Sequence, residues 1–356
     1  MRHFTKKKVV FCLANSNDRN KHMLTIREQV ENREYEYLSP YAAFSKASKG
    51  RDREEVECDI RPVYQRDRDR ILHSKSFRRL RQKTQVFLLP KGDHYRTRLT
   101  HTLEVSQNAR TIAKALRLNE DLVEAIALGH DLGHTPFGHA GEKALNHVYE
   151  FKHNEQSVRV VEYLEHQGKG LNLTWETRDG LLNHQTRNMP GTLEGQVLRL
   201  SDKIAYINHD IEDAIRGGIL REDEIPKKFI QTLGDTSGHR IDTLVKDVII
   251  NSMDQPIISM SAEVERSFLE LREFLYEHIY RSPVAKQVEE KAKNIIEQLY
   301  HHFYHNFDLI PKQFIDTMER LELTKERTVC DYIAGMTDNY AIKMYETYFM
   351  PQRWEV

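Results

Sequence analysis

One long apolar stripe is the feature of this sequence that most constrains its fold. Apolar residues recur every three or four positions from Leu193 to Ile215, and Gly217 and Gly218 follow where such a helix would end. Shorter stripes of the same period run from Val105 to Leu116 and from Leu122 to Gly129. Alternating runs that would predict strands are scarce. The sequence therefore predicts an all-α fold.

Later stripes extend this pattern toward the end of the chain. They run from Val264 to Leu275 and from Val288 to Leu299, so we expect additional C-terminal helices to pack on the core. Asn154 is predicted to cap a further helix between these groups. With 356 residues and no repeat or low-complexity linker, the chain is predicted to have an N-terminal extension at residues 1–23 and one domain at 24–356.

Residues 130–142 form the densest cluster of reactive side chains. Their sequence, HDLGHTPFGHAGE, contains three histidines, two carboxylates and three glycines. Imidazole and carboxylate groups can bind a divalent metal, the remaining ones can transfer protons, and glycine allows close backbone approach. The alternative is a histidine-rich polar turn between two helices. A buried histidine–aspartate cluster is costly unless it is paired or bound to metal, which favours a site.

Two other segments can supply further metal ligands. His101 lies one turn before Val105, and His130 ends the stripe that begins at Leu122, so both histidines lie on core-facing positions. A single histidine there is usually an ordinary core residue, but two of them, one followed by Asp131, favour a metal site. Asp202 lies at the apolar boundary of the long helix, with Tyr206 and Asp210 at i+4 and i+8.

The longer motifs around these residues resemble those of one family. They comprise residues 38–42, 75–80, 83–87, 98–105, 130–142, 202–206 and 330–338. These motifs and their order resemble those of the deoxynucleoside triphosphate triphosphohydrolases, which form the dGTPase family of the HD superfamily. The chain most resembles the shorter bacterial dGTPase-like branch of that family. The resemblance implies an HD-type helical phosphohydrolase fold. It also implies metal-dependent hydrolysis of dNTPs at the α-phosphate, giving a deoxynucleoside and inorganic triphosphate.

The resemblance further implies a metal site and its catalytic neighbours. The family's ligand set falls on His101, His130, Asp131 and Asp202, within a metal-binding core at about residues 96–216. These residues would hold one divalent ion, Mn²⁺, Mg²⁺ or Fe²⁺, because mixed nitrogen and oxygen ligands do not select sharply among them. His139 would transfer a proton with Glu142 orienting it, and His134 would contact phosphate or assist catalysis.

Four positions match substrate contacts of the family: Arg98, Tyr206, Asp210 and Gln82. Arg98 would contact the α-phosphate. Tyr206 would pack near the 2′ carbon of the deoxyribose, although an ordinary half-buried helix tyrosine is the alternative. Asp210 would accept a hydrogen bond from the 3′-hydroxyl, and Gln82 would reach the same group.

Two other functions fit parts of the sequence. The nearer one keeps the metal but changes the substrate, as in a nucleotide monophosphatase, guanosine tetraphosphate hydrolase or phosphodiesterase of the same superfamily. The other is a nucleic-acid-binding regulatory protein, suggested by residues 61–83, which carry nine Lys or Arg against Asp67 and Asp69. Such a run is usually a solvated helix face. Because this one leads into His101, we expect part of it to face a polyphosphate.

Composition limits the partners and the location of the protein. The net charge of −1 gives no global attraction to nucleic acid or membrane, and no apolar run approaches the ~18 residues of a membrane span. Cys12, Cys58 and Cys330 are widely separated, which favours a reducing, cytoplasmic location. We expect a dNTP substrate and a homo-oligomer, with single-stranded DNA as a further candidate partner and no membrane.

Overall fold

A computed structural model describes residues 24–85, 96–185, 187–281 and 283–351. Within these ranges the regular structure is helical, with two isolated β-bridges, Arg51–Thr174 and Thr84–Thr97, and no strand. The prediction of an all-α fold is confirmed. The predicted N-terminal extension, residues 1–23, lies outside the described residues, and the single domain at 24–356 stays a prediction.

The helices up to residue 216 carry the candidate site. They are α1 (Ile26–Tyr37), α2 (Val63–Leu72), α3 (Lys75–Arg79), α4 (Arg98–Ala115), α5 (Glu120–Gly129), α6 (Gly138–Val148), α7 (His153–Arg159), α8 (Glu165–Gly168), α9 (Trp175–Asn183) and α10 (Leu193–Arg216). The three sequence stripes correspond to α4, α5 and α10. Thr97, Asn119 and Thr192 cap these helices by accepting a hydrogen bond from a backbone amide of the first turn.

The predicted cap at Asn154 is wrong. Lys152 occupies the position before α7, and Asn154 lies inside the helix, where its Nδ2 donates to the carbonyl of Leu182 at 2.6 Å. The side chain therefore joins α7 to α9 and is not available to the first turn. The chain continues from α7 into a π-helical turn, Val160–Leu164.

The remaining helices follow after residue 216. They are α11 (Lys227–Leu233), α12 (Ser237–Ser252), α13 (Ala262–Leu275), α14 (Pro283–His305), α15 (Lys312–Leu321), α16 (Lys325–Ala334) and α17 (Asp338–Phe349). Short 3₁₀ turns occur at Ser45–Ala47, Leu80–Gln82, Glu222–Glu224 and Phe307–Leu309, and a second π-helical turn at Tyr276–Tyr280. Among the described helices, none has the length and apolar character required to cross a bilayer.

Three apolar cores hold the helices together. The first surrounds α10 and joins it to α4, α12 and α13. The second packs α5 against α2 and α9. The third lies between α6 and the group α14, α16 and α17, where Leu145 and Ile296 are fully buried. The prediction that C-terminal helices pack on the core is confirmed, and α6 is the helix that joins the site to them.

Candidate metal centre and active site

The four predicted metal ligands come together from three helices. His101 is in the first turn of α4, His130 and Asp131 follow the last turn of α5, and Asp202 is on α10. Ligand atoms of His101, His130 and Asp131 all lie within 4.8 Å of one another. Oδ1 of Asp202 is 3.1 Å from Nε2 of His101 and 3.7 Å from Nε2 of His130. The spacing suits a shared cation.

One atom in this group shows that a metal fits. Nδ1 of His130 lies 2.7 Å from the carbonyl of Ala127 and donates to it, which leaves the lone pair of Nε2 directed at the other ligands. That Nε2 is buried and has no hydrogen-bond partner among the described residues. A buried acceptor without a partner is costly, and a divalent ion at this point would satisfy it.

The ionisation of these residues also suits a cation. Burial lowers the pKa of His101, which keeps its imidazole neutral. Burial alone would raise the pKa of Asp131, but electrostatic interaction with its neighbours, His130 and the Arg98 guanidinium, outweighs it and holds that pKa well below its usual range. Burial opposes ionisation of Asp202 too, yet its contacts with the imidazoles of His101 and His130 hold its pKa low. Neutral imidazole and ionised carboxylate are the forms that bind metal.

His101 is oriented by two residues that the sequence analysis missed. Its Nδ1 lies 3.2 Å from Nδ1 of His209, and Nε2 of His209 contacts the carboxylate of Glu104. When Nε2 of His209 donates a hydrogen bond to Glu104, Nδ1 of His209 can accept one from Nδ1 of His101, and Nε2 of His101 is left for a metal. The spacing offered a signal: His209 is seven residues after Asp202, on the same face of α10.

Arg98 lies against a predicted ligand. Its guanidinium is buried, and Nη1 donates to Oδ2 of Asp131 at 2.7 Å. A charged hydrogen bond of this kind fixes the carboxylate toward the metal position. Nε of Arg98 has no partner among the described residues, and the side chain lines the cavity described below. Its predicted contact with an α-phosphate stays a prediction.

A second histidine cluster adjoins the first. His134, His139 and Glu142 have ligand atoms within 4.8 Å of one another. His153, which the sequence analysis missed, stacks on His134 with ring centroids 4.1 Å apart. Its Nδ1 lies 3.0 Å from both oxygens of Glu142, whereas Nδ1 of His139 lies 3.8 Å from the nearer one. Glu142 is therefore bound more closely by His153 than by its predicted partner His139.

Electrostatics divides this second cluster into unlike parts. Burial would raise the pKa of Glu142, but the charge of His153 outweighs it and lowers that pKa. Conversely, burial would lower the pKa of His153, but Glu142 raises it. Burial, with Arg98 nearby, holds the pKa of His134 well below its usual range. Glu142 and His153 therefore form an ion pair beside the neutral ring of His134.

The turn between α5 and α6 requires a glycine at position 133. A Cβ on Gly133 would lie 2.1 Å from the amide nitrogen of Ser157 and 2.4 Å from the carbonyl oxygen of His153. Glycine therefore allows the segment to lie directly on α7. Phe137 then adopts a left-handed conformation, with φ of 61°, immediately before α6 begins. This turn directs His134 and His139 into the same cavity.

The two clusters open on one cavity of about 1110 Å³. His139 is the most accessible member, with 46% of its side chain exposed, and its ring lies 6.3 Å from that of Tyr206. Basic side chains around the cavity are Lys143, Lys152, Arg187, Lys203, Arg272, Arg281 and Lys286. Glu155, Glu273 and Glu289 also line it, and two of these acids pair with Lys152 and Lys143. A metal position, groups able to transfer protons and a charged rim with an excess of basic side chains therefore share one space.

Comparison with known proteins agrees with this arrangement. The HD domain family matches residues 98–207, and the phosphohydrolase-associated domain family matches residues 258–347. A deoxyguanosinetriphosphate triphosphohydrolase-like protein of Caldanaerobacter subterraneus is 61% identical over 93% of this chain and 98% of its own length. The chain belongs to the deoxyguanosinetriphosphate triphosphohydrolase-like family. The resemblance inferred from the motifs is confirmed, and the protein is a metal-dependent phosphohydrolase of the HD type.

Other members of the dGTP triphosphohydrolase-like family are also similar over most of the chain. The protein of that name from Clostridium perfringens strain 13 is 49% identical over 92% of this chain and 99% of its own length. A crystal structure of a hypothetical protein from Aquifex aeolicus is 20% identical and covers 79% of this chain and 71% of its own, with a TM-score of 0.39. That likeness is too distant to inform the site.

Among the predicted substrate contacts of this family member, one is misplaced. Arg98, Tyr206 and Asp210 line the cavity, but Gln82 is exposed and does not. Gln85 lines it instead, with its side chain buried and its Oε1 without a partner among the described residues. The chain leaves a 3₁₀ turn between these positions, so no helical period fixes which glutamine faces inward.

The basic side chains of residues 61–83 lie away from the cavity that contains the two clusters. None of residues 61–83, all of which the structure describes, lines this cavity. Several of its arginines form ion pairs with acids: Arg61 with Asp69, Arg66 and Arg70 with Glu55, and Arg68 with Asp121. The basic side chains of this cavity come from other segments, and the expectation that part of the run faces a polyphosphate stays a prediction.

Proposed function

We propose that this protein hydrolyses deoxynucleoside triphosphates at the α-phosphate, releasing a deoxynucleoside and inorganic triphosphate. The observation that carries the proposal is the joining of two clusters in one cavity. The ligand group around His101 and Asp131 lies beside the proton-transfer group around His139 and Glu142. The relatives' shared name, which refers to dGTP, supports the same substrate class.

The reaction balances with one water molecule. A new bond forms between the water oxygen and the α-phosphorus, and the bond from that phosphorus to the 5′ oxygen breaks. The water proton ends on the leaving 5′ oxygen. A divalent ion, when bound by the four ligands, would polarise a phosphoryl oxygen and offset its charge.

The residues of this chain account for the proton transfer. His139 is the accessible imidazole in the cavity, so it is the group that can take a proton from water or give one to the 5′ oxygen. The Glu142–His153 ion pair lies behind it, at 3.8 Å from Nδ1 of His139 to Glu142. Glu142 would orient the ring of His139 for this transfer, while His153 holds Glu142 in place.

The rim of the cavity supports a triphosphate rather than a single phosphate. Its basic side chains are spread over α6, α10, α13, the start of α14 and the segments around residues 152, 187 and 281. Point charges at separate positions suit a chain of phosphates. The cavity is also lined by Tyr206 and Asp210 on α10, which we assign to the deoxyribose.

The test is to identify the products. Each dNTP is supplied singly, and all four are also supplied together, with Mn²⁺ or Mg²⁺ in ¹⁸O-labelled water. The products are separated and their masses are measured by mass spectrometry. The proposal expects label in inorganic triphosphate and an unlabelled deoxynucleoside. Release of orthophosphate or pyrophosphate would refute it, and label in the deoxynucleoside would refute attack at phosphorus. The Asp131→Ala variant, which loses a ligand, is the control for contaminating phosphatases.

A further inference from the structure

A carboxylate of the C-terminal helices contacts the catalytic segment at its left-handed turn. Asp338 begins α17 and is buried. Its Oδ1 accepts a hydrogen bond from the amide of Phe137 at 3.0 Å. Its Oδ2 accepts one from the amide of Thr84 at 2.9 Å, and another from the hydroxyl of Thr84. One side chain thus joins three segments that are distant in sequence.

The turn at Phe137 needs such support. A non-glycine residue rarely adopts a φ of 61°, and it does so where its surroundings hold it. The ring of Phe137 is buried in the core formed with α14, α16 and α17. The amide of Phe137 is the first group before α6, and His139 is the second residue of that helix. The orientation of this amide therefore sets the direction in which His139 enters the cavity.

A second connection holds the other end of the same turn. Nζ of Lys83 donates to the carbonyl of His134 and, at 2.9 Å, to the carbonyl of Ala334 at the end of α16. Lys83 is the neighbour of Thr84, so both connections run through the same two residues. The segment from His134 to Phe137 is thereby held at each end, by a lysine at its first carbonyl and by Asp338 at its last amide.

We propose that Asp338 is a positioning residue for catalysis: through the amide of Phe137 it holds α6 so that His139 faces the reacting phosphate. The proposal rests on the proposed function, because it concerns the rate of that reaction. Asp338 touches no predicted metal ligand among the described contacts, so its loss would move His139 without removing the metal. The C-terminal helices therefore contribute to turnover as well as to stability.

The test compares Asp338→Ala with Asp338→Asn. Alanine removes every acceptor, whereas asparagine keeps one oxygen for the amide of Phe137 and loses the acceptor for Thr84. Asp316→Asn is the matched control, because Asp316 is an exposed acid of α15 paired only with Lys312 in the described structure. Each variant is measured for kcat and KM, for Mn²⁺ affinity by calorimetry, for melting temperature, and for amide hydrogen exchange over residues 134–142.

We expect kcat to fall by about 10²-fold in the alanine variant, the effect of displacing a catalytic group by about 1 Å. Mn²⁺ affinity should stay within about threefold, and amide exchange should quicken at Phe137 and in the first turn of α6. Asparagine should recover most of the rate, and the Asp316 control should match the unsubstituted protein. Unchanged kcat with only a lower melting temperature would overturn the proposal, as would a parallel loss of Mn²⁺ affinity.

The two proposals fail separately. If the unsubstituted protein releases no triphosphate from any dNTP, the proposed function is wrong. Amide exchange and Mn²⁺ affinity then still decide the role of Asp338. Faster exchange at residues 137–142 with unchanged Mn²⁺ affinity supports it, and unchanged exchange refutes it.

Discussion

Replacing His209 by leucine tests how the ligand His101 is held. In the structure, Nδ1 of His209 lies 3.2 Å from Nδ1 of His101, and its contact with Glu104 through Nε2 leaves Nδ1 able to accept a hydrogen bond from His101. Leucine would leave the buried N–H of His101 without an acceptor, which costs about 1–3 kcal/mol. Loss of a partner that orients a ligand lowers metal affinity by about 10–100-fold. On the free-energy scale this corresponds to about 1.4–2.8 kcal/mol of binding.

Calorimetric titration of Mn²⁺ into each protein measures this loss directly. His209→Asn is the matched variant, because its side-chain oxygen can replace Nδ1 as an acceptor, and its affinity should be intermediate. Thermal unfolding without metal should show a lower melting temperature for the leucine variant. Mn²⁺ affinity within twofold of the unsubstituted protein would show that His101 needs no support from His209.

Three further predictions concern the site and the core. Asp131→Ala should abolish Mn²⁺ binding and turnover, whereas His139→Ala should keep Mn²⁺ binding and lower kcat by about 10²–10⁴-fold; a full rate in the latter would disprove its role in proton transfer. Gly133→Ala should lower the free energy of unfolding by about 1–3 kcal/mol, because the new Cβ would collide with the backbone of α7. Gly238→Ala on α12 is the control, because its Cβ would lie in open space. Equal melting temperatures for the two variants would refute this prediction. Burial raises the pKa of Glu194, so ionisation of this carboxyl opposes folding. The stability that its protonated form contributes is fully present below the pKa of Glu194 in the unfolded chain. That stability is lost as the pH rises through the higher pKa of Glu194 in the folded protein. Glu194→Gln should therefore remove that loss, and melting curves at pH 5 and pH 8 that shift equally in both proteins would contradict it.

Helical periodicity located candidate ligands, and the family resemblance assigned them to a metal. A period of 3.6 residues placed His101 on a core-facing position of α4 and Asp202 at the apolar boundary of α10. The structure brings them within 3.1 Å, although their role in binding metal stays a prediction. Where no period exists, the prediction failed. Gln82 ends a short 3₁₀ turn and Gln85 follows it in irregular chain, and of these two residues only Gln85 lines the cavity.

Contacts between distant segments were not readable from the sequence. His153 follows a loop and begins a short helix, so no stripe indicated that it would meet Glu142. The arginines of α2 belong to a run with an excess of basic residues, and their acidic partners, such as Glu55 and Asp121, come from other segments of the sequence. Asp338 lies about 200 residues after Phe137, and only folding brings the carboxylate to that amide.

The shared core of α6 has a consequence for anyone who would shorten this protein. A fragment limited to the HD match, residues 98–207, would contain every predicted metal ligand. It would nevertheless leave Phe137, Ala144 and Leu145 facing water, because their apolar partners are α14, α16 and α17. Such a face would drive self-association. A minimal version of this hydrolase therefore has to retain the last four helices, which cover that side of α6.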